Sequence, residues 1–282
     1  MMNQENSQAS TLYVSDMDGT LLGSDSQVSA TSAQLLNQAI EGGALFTVAT
    51  ARTPATVVPL MSAVNANLPF ICLNGAAMWD NRRRDYTHVE VLPDATVQHI
   101  VDIYERHGLH PFIYRRHGHL INAYHYGPMS AQESQFVAER QGLELKKFVL
   151  DNPHYRHVQG ESAMLIFSML DYERLRPVYE EIKASVHCSP VFYHDIFDNT
   201  AGILEIYAPG VSKAAAIKRL ASQVQASRIV VFGDNRNDLP MMRIASHSVA
   251  VGNAFQEVKD AAREVIGPNT DDAVAKYISE KK

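Results

Sequence analysis

The sequence predicts an α/β fold whose parallel sheet is interrupted by an inserted α+β domain. The N-terminal part of the chain contains three successive units, each of which is an apolar strand followed by a short polar segment and a helix pattern. Tyrosines and histidines become dense from about Arg82, where short strands and helix-like stretches mix, and apolar strands with polar tips resume near Gly210. Repeated strand–helix units are typical of parallel sheets, which place their functional site at the carboxyl ends of the strands.

The first predicted strand is the apolar run Leu12–Val14, and two carboxylates, Asp16 and Asp18, follow it closely. Carboxylates two residues apart beyond a strand end converge on one point, and two anions so close are costly unless a cation lies between them. Oxygen ligands favour a hard cation, most simply Mg²⁺. An ordinary Asp-Gly turn would account for Asp18 with Gly19, but it does not explain the other carboxylate.

Two more strand–helix units follow the aspartates, and their polar tips are further candidates for the site. Ser29 can cap the first helix, and Pro54 stands at the first position of the second, where proline is favoured. The predicted elements are a helix from Ser29 to about Glu41, a strand over 44–49 that ends at Thr50, Ala51 and Arg52, a helix from Pro54, and a strand over 70–73 that ends at Asn74, Gly75 and Ala76.

The mixed stretch is interpreted as a second domain inserted into the first. The predicted domains are 1–81 for the first part of the core, 82–208 for the insert and 209–282 for the second part of the core. In the insert, helix-like patches cover 97–105, 130–140 and 172–183, between strands over 111–114, 119–123 and 163–170. The second part of the core is predicted to contain a helix over 213–222 capped by Ser212, a strand over 229–232 that ends at Gly233 to Asp238, a helix over 239–244, a strand over 248–251 and a terminal helix from Asp271 through Ser279.

The composition is that of an ordinary globular protein with room for two domains. The chain has 282 residues, 46% hydrophobic and 20% charged, and a formal net charge of −6, which argues against a general binder of nucleic acid or of membrane surfaces. No apolar run approaches the roughly 20 residues of a membrane span. The polar segment Met1–Ser10 lacks the apolar region of a signal peptide, so a cytoplasmic protein is expected.

Several motifs resemble those of one enzyme superfamily. The run Asp16-Met17-Asp18-Gly19-Thr20 resembles the first motif of the haloacid dehalogenase (HAD) superfamily, and Thr50, Lys213 and the run Gly233–Asp238 match its second, third and fourth motifs in order. The residues of these runs, together with Leu73–Ala76 and Val251–Ala254, are similar to the motifs of the Cof-type branch of that superfamily. Two positions depart from that branch: Ala51 and Ala273 stand where it usually has glycine. The resemblance implies a Rossmann-like parallel-sheet core with an α/β cap inserted after the third strand. It also implies Mg²⁺-dependent hydrolysis of small phosphorylated metabolites, commonly sugar phosphates.

The resemblance assigns roles to the residues at the strand tips. Asp16 would be the nucleophile that forms an aspartyl-phosphate, and Asp18 the general acid/base. The metal would be held by Asp16, the backbone carbonyl of Asp18, and Asp234, with support from Asp238. Taken alone, Thr50 and the pair Asp234 and Asp238 could instead cap the helices that follow. The residues expected to bind substrate or phosphate are Thr50, Ala51, Arg52, Lys213 and Asn237.

The predicted function is therefore a phosphomonoester hydrolase acting on a small phosphorylated metabolite, with neither nucleic acid nor membrane as a partner. One alternative is a phosphotransferase or phosphomutase on the same scaffold, because a sugar hydroxyl and water compete for the same aspartyl-phosphate. The other is a non-catalytic metabolite-binding protein, against which the joint presence of Asp16, Asp18, Lys213 and Asp234 counts. A monomer or a small homo-oligomer is expected.

Overall fold

The structure is a computed structural model that describes residues 10–195 and 200–281. Most of the polar segment from which the localisation is predicted lies outside these residues. The chain folds as two compact units, one made of Met1–Thr87 and Ser212–Lys282 and the other of His88–Val211. Each boundary lies a few residues beyond the expected one. At the first boundary the reason is a strand at 85–89, most of which belongs to the first unit.

The described residues form the following elements in chain order. The strands are β1 (Thr11–Ser15), β2 (Leu45–Val48), β3 (Phe70–Cys72), β4 (Ala77–Asp80), β5 (Asp85–Val89), β6 (Phe112–His117), β7 (Leu120–His125), β8 (Lys146–Leu150), β9 (Ser162–Asp171), β10 (Ser189–His194), β11 (Ala201–Tyr207), β12 (Arg228–Gly233), β13 (His247–Ala250) and β14 (Glu264–Val265). The α-helices are α1 (Ala30–Glu41), α2 (Pro54–Leu60), α3 (Asp94–Arg106), α4 (Ala131–Arg140), α5 (Tyr172–Ser185), α6 (Lys213–Gln223), α7 (Leu239–Ile244), α8 (Gln256–Ala261) and α9 (Ala273–Glu280).

The first unit is built on a parallel sheet of five strands in the order β14-β13-β12-β1-β2. The inner strand β1 pairs on both sides, Val14 with Val231 of β12 and with Thr47 of β2, which is why its apolar run is buried. Since all five strands run the same way, their carboxyl ends share one edge of the sheet. Around the sheet, α1 packs against α9, and α6, α7 and α8 pack in succession.

A second, three-stranded sheet in the order β3-β4-β5 extends this unit. Ile71 of β3 forms a parallel bridge with Ala49, just beyond β2, and β3 pairs antiparallel with β4. The sequence predicts β3 but not β4 and β5. The pair is connected by the exposed turn 81–84, which contains three arginines and no Asn-Gly or Asp-Gly dipeptide of the kind that signals a hairpin in sequence.

The second unit contains a six-stranded sheet in the order β10-β11-β9-β6-β7-β8. Its neighbouring strands are antiparallel except for β7 and β8. Helices α3 and α5 bury one face, where Ile113, Ile166 and Ile206 belong to the hydrophobic core of the unit. This core also accounts for part of the density of tyrosines, because three of them belong to it and are less than 6% exposed: Tyr104, Tyr124 and Tyr155.

Most predicted elements are present with small shifts at their ends. Ser29 caps α1 by accepting the backbone N–H of Ser32, and Ser212 caps α6 in the same way. The terminal helix begins later than predicted, because Asp272 lies in the left-handed region with a φ of 57°. In the described part of the chain, no helix is both long enough and apolar enough to cross a membrane.

Candidate active site

Asp16, Lys213 and Asp238 form a buried, hydrogen-bonded cluster at the carboxyl edge of the parallel sheet. Asp16 follows β1, Lys213 begins α6, and Asp238 ends the short 3₁₀ turn after β12. The Nζ atom of Lys213 donates to Asp16 Oδ1 at 2.7 Å and to Asp238 Oδ1 at 2.8 Å. A lysine in the first turn of a helix faces the positive end of the helix dipole. The two carboxylates, not the helix, therefore account for its position.

Asp234 lies beside this cluster and is held by the turn that follows β1. Thr20 Oγ1 donates to Asp234 Oδ1 at 2.7 Å. Gly19 has a φ of 72°, and a Cβ at this position would lie 2.5 Å from Asp234 Oδ2, so a side chain there would displace the carboxylate. One carboxylate oxygen from each of Asp16, Asp234 and Asp238 lies within 4.8 Å of the others. The three aspartates, predicted from two motifs that are far apart in the sequence, are thus brought to one point.

Burial and mutual repulsion make full ionisation of the cluster costly. Burial, followed by the charge of Asp238, raises the pKa of Asp16 well above its usual range, against the opposing charge of Lys213. Burial also raises the pKa of Asp234 to about 6. Burial alone would lower the pKa of Lys213, but the charges of Asp16 and Asp238 outweigh it and raise that pKa. Three carboxylates therefore share one ammonium, and two negative charges stay uncompensated when all are ionised.

The donor set fits a hard divalent cation, and the three aspartates differ in how they can contribute. Both oxygens of Asp238 are already acceptors: Oδ1 from Lys213, and Oδ2 from the backbone N–H groups of Asp234 and Asn235 at 3.1 Å each. Asp16 and Asp234 each use only Oδ1 in the hydrogen bonds described above. Asp16 and Asp234 thus each have a carboxylate oxygen outside these hydrogen bonds, whereas Asp238 is hydrogen-bonded through both of its oxygens.

Asp18 is paired with Arg52. Arg52 Nε donates to Asp18 Oδ2 at 2.7 Å, and Nη2 donates to Asp18 Oδ1 at 2.6 Å, so one planar fork holds both carboxylate oxygens. These hydrogen bonds raise the pKa of Arg52 above its usual value. The sequence predicts both residues for the site but not their contact.

The other predicted phosphate-binding residues lie on the turns around this edge. Thr50 is buried at the tip of β2, and its hydroxyl accepts the backbone N–H of Arg52 at 3.1 Å, a local bond of the capping type. A hydroxyl also donates, so this bond leaves its hydrogen for another acceptor. Ala51 is half-buried in the same turn. Asn237 is exposed on the 3₁₀ turn, whereas the ammonium of Lys213 contacts the two carboxylates.

A family model described as haloacid dehalogenase-like hydrolase matches residues 13–278. The chain belongs to this family. The match covers nearly the whole chain, and it confirms the superfamily that the aspartate motif indicates. The α/β fold class and the enzyme class, a phosphomonoester hydrolase, are confirmed with it.

Curated relatives and solved structures resemble this hydrolase over nearly its whole length. The pyridoxal phosphate phosphatase YbhA of Escherichia coli is 27% identical, with 93% of this chain and 95% of the relative covered. The 5-amino-6-(5-phospho-D-ribitylamino)uracil phosphatase YwtE of Bacillus subtilis is 26% identical, with 94% and 96% covered. A crystal structure of a haloacid dehalogenase-like hydrolase from Bacteroides thetaiotaomicron matches the fold with a TM-score of 0.78 at 21% identity, over 97% of this chain and 100% of that one.

Two contacts of the site were missed by sequence reasoning. Thr20 belongs to the first motif but is not predicted to contact the site, yet its hydroxyl hydrogen-bonds Asp234 across 214 residues of sequence. The pairing of Asp18 with Arg52 could have been anticipated from strand order, since both residues lie shortly beyond the ends of the neighbouring parallel strands β1 and β2. The sequence does not state which strands are neighbours, so this signal becomes usable only with the sheet order.

Proposed function

We propose that this hydrolase is a Mg²⁺-dependent phosphatase that hydrolyses small phosphorylated metabolites, sugar phosphates in particular, through an aspartyl-phosphate on Asp16. The observation that carries the proposal is the buried cluster in which Lys213 holds Asp16 and Asp238 beside Asp234. Such a cluster keeps a carboxylate nucleophile, a fixed ammonium and a divalent-cation site within one small volume. This combination suits attack on a phosphate dianion.

In the proposed reaction, an oxygen of Asp16 attacks phosphorus and the bond to the leaving alkoxide breaks. Lys213 holds Asp16 Oδ1 at 2.7 Å and thereby restricts the rotation of the carboxylate. Asp18 gives a proton to the alkoxide, then takes a proton from the water that hydrolyses the aspartyl-phosphate. The products are the alcohol and inorganic phosphate, and both aspartates return to their starting states.

Asp16 and Asp234, with the backbone carbonyl of Asp18, would hold the Mg²⁺. When bound, this ion offsets the repulsion between the carboxylates and the incoming phosphate. The support for magnesium is that all these donors are oxygens, without the sulfur or imidazole ligands that favour zinc. The phosphate oxygens would be bound by the Thr50 hydroxyl, the Lys213 ammonium and backbone N–H groups near Met17 and Asp18, with Ala51 and Asn237 on the surrounding turns.

The substrate class rests on the curated relatives. One is named for pyridoxal phosphate and another for a phosphorylated ribityl compound, both small phosphorylated metabolites. We propose that the inserted unit acts as a cap and supplies the residues that choose among such substrates, as expected from its position in the chain. A cytoplasmic monomer or small homo-oligomer completes the proposal.

The test is a screen of the purified protein against a panel of phosphomonoesters, with Mg²⁺ and with EDTA, measuring inorganic phosphate. We expect turnover of several metabolites in Mg²⁺ and its loss in EDTA. Asp16→Asn should remove turnover, while Asp260→Asn, the same substitution at an exposed position of α8, should retain it. Acid-quenched wild-type protein should carry phosphate on Asp16, detectable by peptide mass spectrometry.

The outcomes separate the functions that compete on this scaffold. Transfer of phosphate to an added sugar in preference to water would identify a phosphotransferase or mutase. Saturable binding of metabolites without turnover in Mg²⁺ would identify a binding protein. Full activity after exhaustive chelation would reject the metal part of the proposal.

A further inference from the structure

The contact between Arg52 and Asp18 has a geometry that a loose surface ion pair lacks. Two donors of one guanidinium, Nε and Nη2, lie 2.7 and 2.6 Å from the two oxygens of one carboxylate. This arrangement fixes the plane of the carboxylate as well as its position, because both hydrogen bonds lie in the plane of the guanidinium. A single ammonium in the same place could hold the carboxylate by its charge, but it would not fix the plane of the carboxylate.

The backbone of Arg52 is itself held by an unusual turn. The N–H of Leu73 donates to the Arg52 carbonyl at 3.0 Å, and the N–H of Asn74 donates to the Thr50 carbonyl at 2.9 Å. Leu73 and Asn74 have φ values of 52° and 51°, in the left-handed region that a leucine rarely adopts. A protein retains such backbone strain where its surroundings demand that conformation. Here the strained turn holds the loop that carries Arg52 through these two backbone hydrogen bonds.

The same turn lies against the start of α6. Gly75 has a φ of 101°, and a Cβ there would come within 2.3 Å of the Ser212 carbonyl oxygen. The next residue, Lys213, holds the Asp16 carboxylate. The loop that carries Arg52 therefore contacts the turn at 73–75, and this turn packs against the segment that carries Lys213. Each catalytic aspartate of the proposed mechanism has its own cation, and both cations are supported by one turn.

We propose that Arg52 is a positioning residue that orients Asp18 for proton transfer, rather than a direct ligand of the substrate phosphate; this inference rests on the proposed phosphatase function. When the alkoxide takes the proton from Asp18, the bond from phosphorus to that alkoxide breaks and the bond from Asp16 to phosphorus forms. Asp18 is then a carboxylate, which is the form that accepts two hydrogen bonds from a guanidinium. Arg52 thus stabilises the charge that develops on Asp18 during this step.

The two roles for Arg52 predict different kinetics. A residue that acts through Asp18 matters most when the leaving group needs a proton, as an alkoxide does, and matters little for p-nitrophenolate. A residue that binds phosphate affects all phosphomonoesters alike and also weakens inhibition by inorganic phosphate. Thr50, proposed as a phosphate ligand, supplies the comparison for the second behaviour.

The experiment measures first-turnover rates of Arg52→Met, Arg52→Lys and Thr50→Val on aryl phosphates of graded leaving-group pKa and on an alkyl phosphate. Arg52→Met should slow the reaction of the alkyl phosphate by about 10-fold or more, which is part of the ~10²–10⁴-fold that general acid catalysis supplies. The same variant should slow the reaction of p-nitrophenyl phosphate by less than about 3-fold, because p-nitrophenolate leaves without a proton. Arg52→Lys should fall between wild type and Arg52→Met. Thr50→Val should slow all substrates by a similar factor. Arg176→Met removes an exposed arginine of α5 that pairs with Glu173, and it should behave as wild type.

A double variant provides the second measurement. If Arg52 acts through Asp18, adding Arg52→Met to Asp18→Asn should cause no further loss on the alkyl phosphate. The inhibition constant of inorganic phosphate should stay within about 3-fold of wild type in Arg52→Met, because a lost charge-assisted contact to phosphate would cost about tenfold or more.

Equal losses on all substrates, additive losses in the double variant, or a much weaker inorganic phosphate inhibition would each overturn the positioning role and leave the phosphatase function standing. The function itself fails by a different result, namely a wild-type protein without phosphomonoesterase activity or an Asp16→Asn variant that keeps it.

Discussion

Replacing Asp234 by asparagine removes one negative charge from the buried cluster while keeping the shape of the side chain. Burial raises the pKa of Asp234 from an ordinary 3.8 to about 6. One pK unit corresponds to about 1.4 kcal/mol, so keeping this carboxylate ionised costs the folded protein roughly 3 kcal/mol at neutral pH. Asparagine retains an oxygen to accept the 2.7 Å hydrogen bond from Thr20. The substitution should therefore recover most of this free energy.

We expect metal-free Asp234→Asn to be about 1–3 kcal/mol more stable than the wild type near neutral pH, which corresponds to a rise of roughly 3–8 °C in Tm. The folded-state pKa of Asp234 lies above its unfolded value, so the folded protein holds a proton between pH 3.8 and about 6 that the unfolded chain has released. The cost is complete above that window and fades as the pH falls through it. The difference between variant and wild type should accordingly shrink toward pH 4.

The assay is thermal unfolding in EDTA and in Mg²⁺, combined with phosphate release. A ligand that binds only the folded state at 100 times its Kd stabilises it by about 2.7 kcal/mol, so wild-type Tm should rise in Mg²⁺. Asp234→Asn should lose most of this rise together with the activity, whereas Asp260→Asn should keep both. A lower Tm than wild type in EDTA, or an undiminished rise in Mg²⁺, would refute the assignment of Asp234 as a metal ligand held at an energetic cost.

Three further substitutions test the other parts of the cluster. Asp16→Asn should abolish phosphate release yet keep a Tm in EDTA at or above that of wild type, since burial disfavours the ionised carboxylate; near-normal turnover would exclude covalent catalysis by Asp16. Lys213→Met leaves two buried carboxylates without their cation, so the free energy of unfolding in urea should fall by about 3–5 kcal/mol, and adding Asp238→Asn should restore part of this loss. An unchanged urea midpoint would contradict the ion cluster. Gly19→Ala should lose the Mg²⁺-induced rise in Tm because its Cβ would lie 2.5 Å from a carboxylate oxygen, while Gly43→Ala, also at positive φ but with nothing within 4 Å, should keep it.

The sequence predicts the strands of the parallel core with small errors at their ends, and it predicts four charged residues that the structure brings together. Strands β1, β2 and β12 are buried on both faces, so each is a nearly unbroken apolar run that stands out locally. The reactive residues follow these runs at once, and Asp16, Lys213, Asp234 and Asp238 do meet at one point. The hairpin of β4 and β5 is missed because its arginine-rich turn gives no hairpin signal.

The sequence does not determine how the site residues pair with one another. The carboxylate of Asp18 lies in the fork of Arg52, 34 residues away, a contact that no local pattern in the sequence predicts. Asp238 was expected to support the metal site, and its two oxygens accept hydrogen bonds from Lys213 and from two backbone N–H groups, partners that the sequence does not indicate. These pairings depend on which strands are neighbours and on how far each turn carries a side chain. Local apolar patterns determine that a strand exists and where it ends. Only the assembled sheet decides which charges at its edge come within hydrogen-bonding distance, because that distance depends on strand order and register.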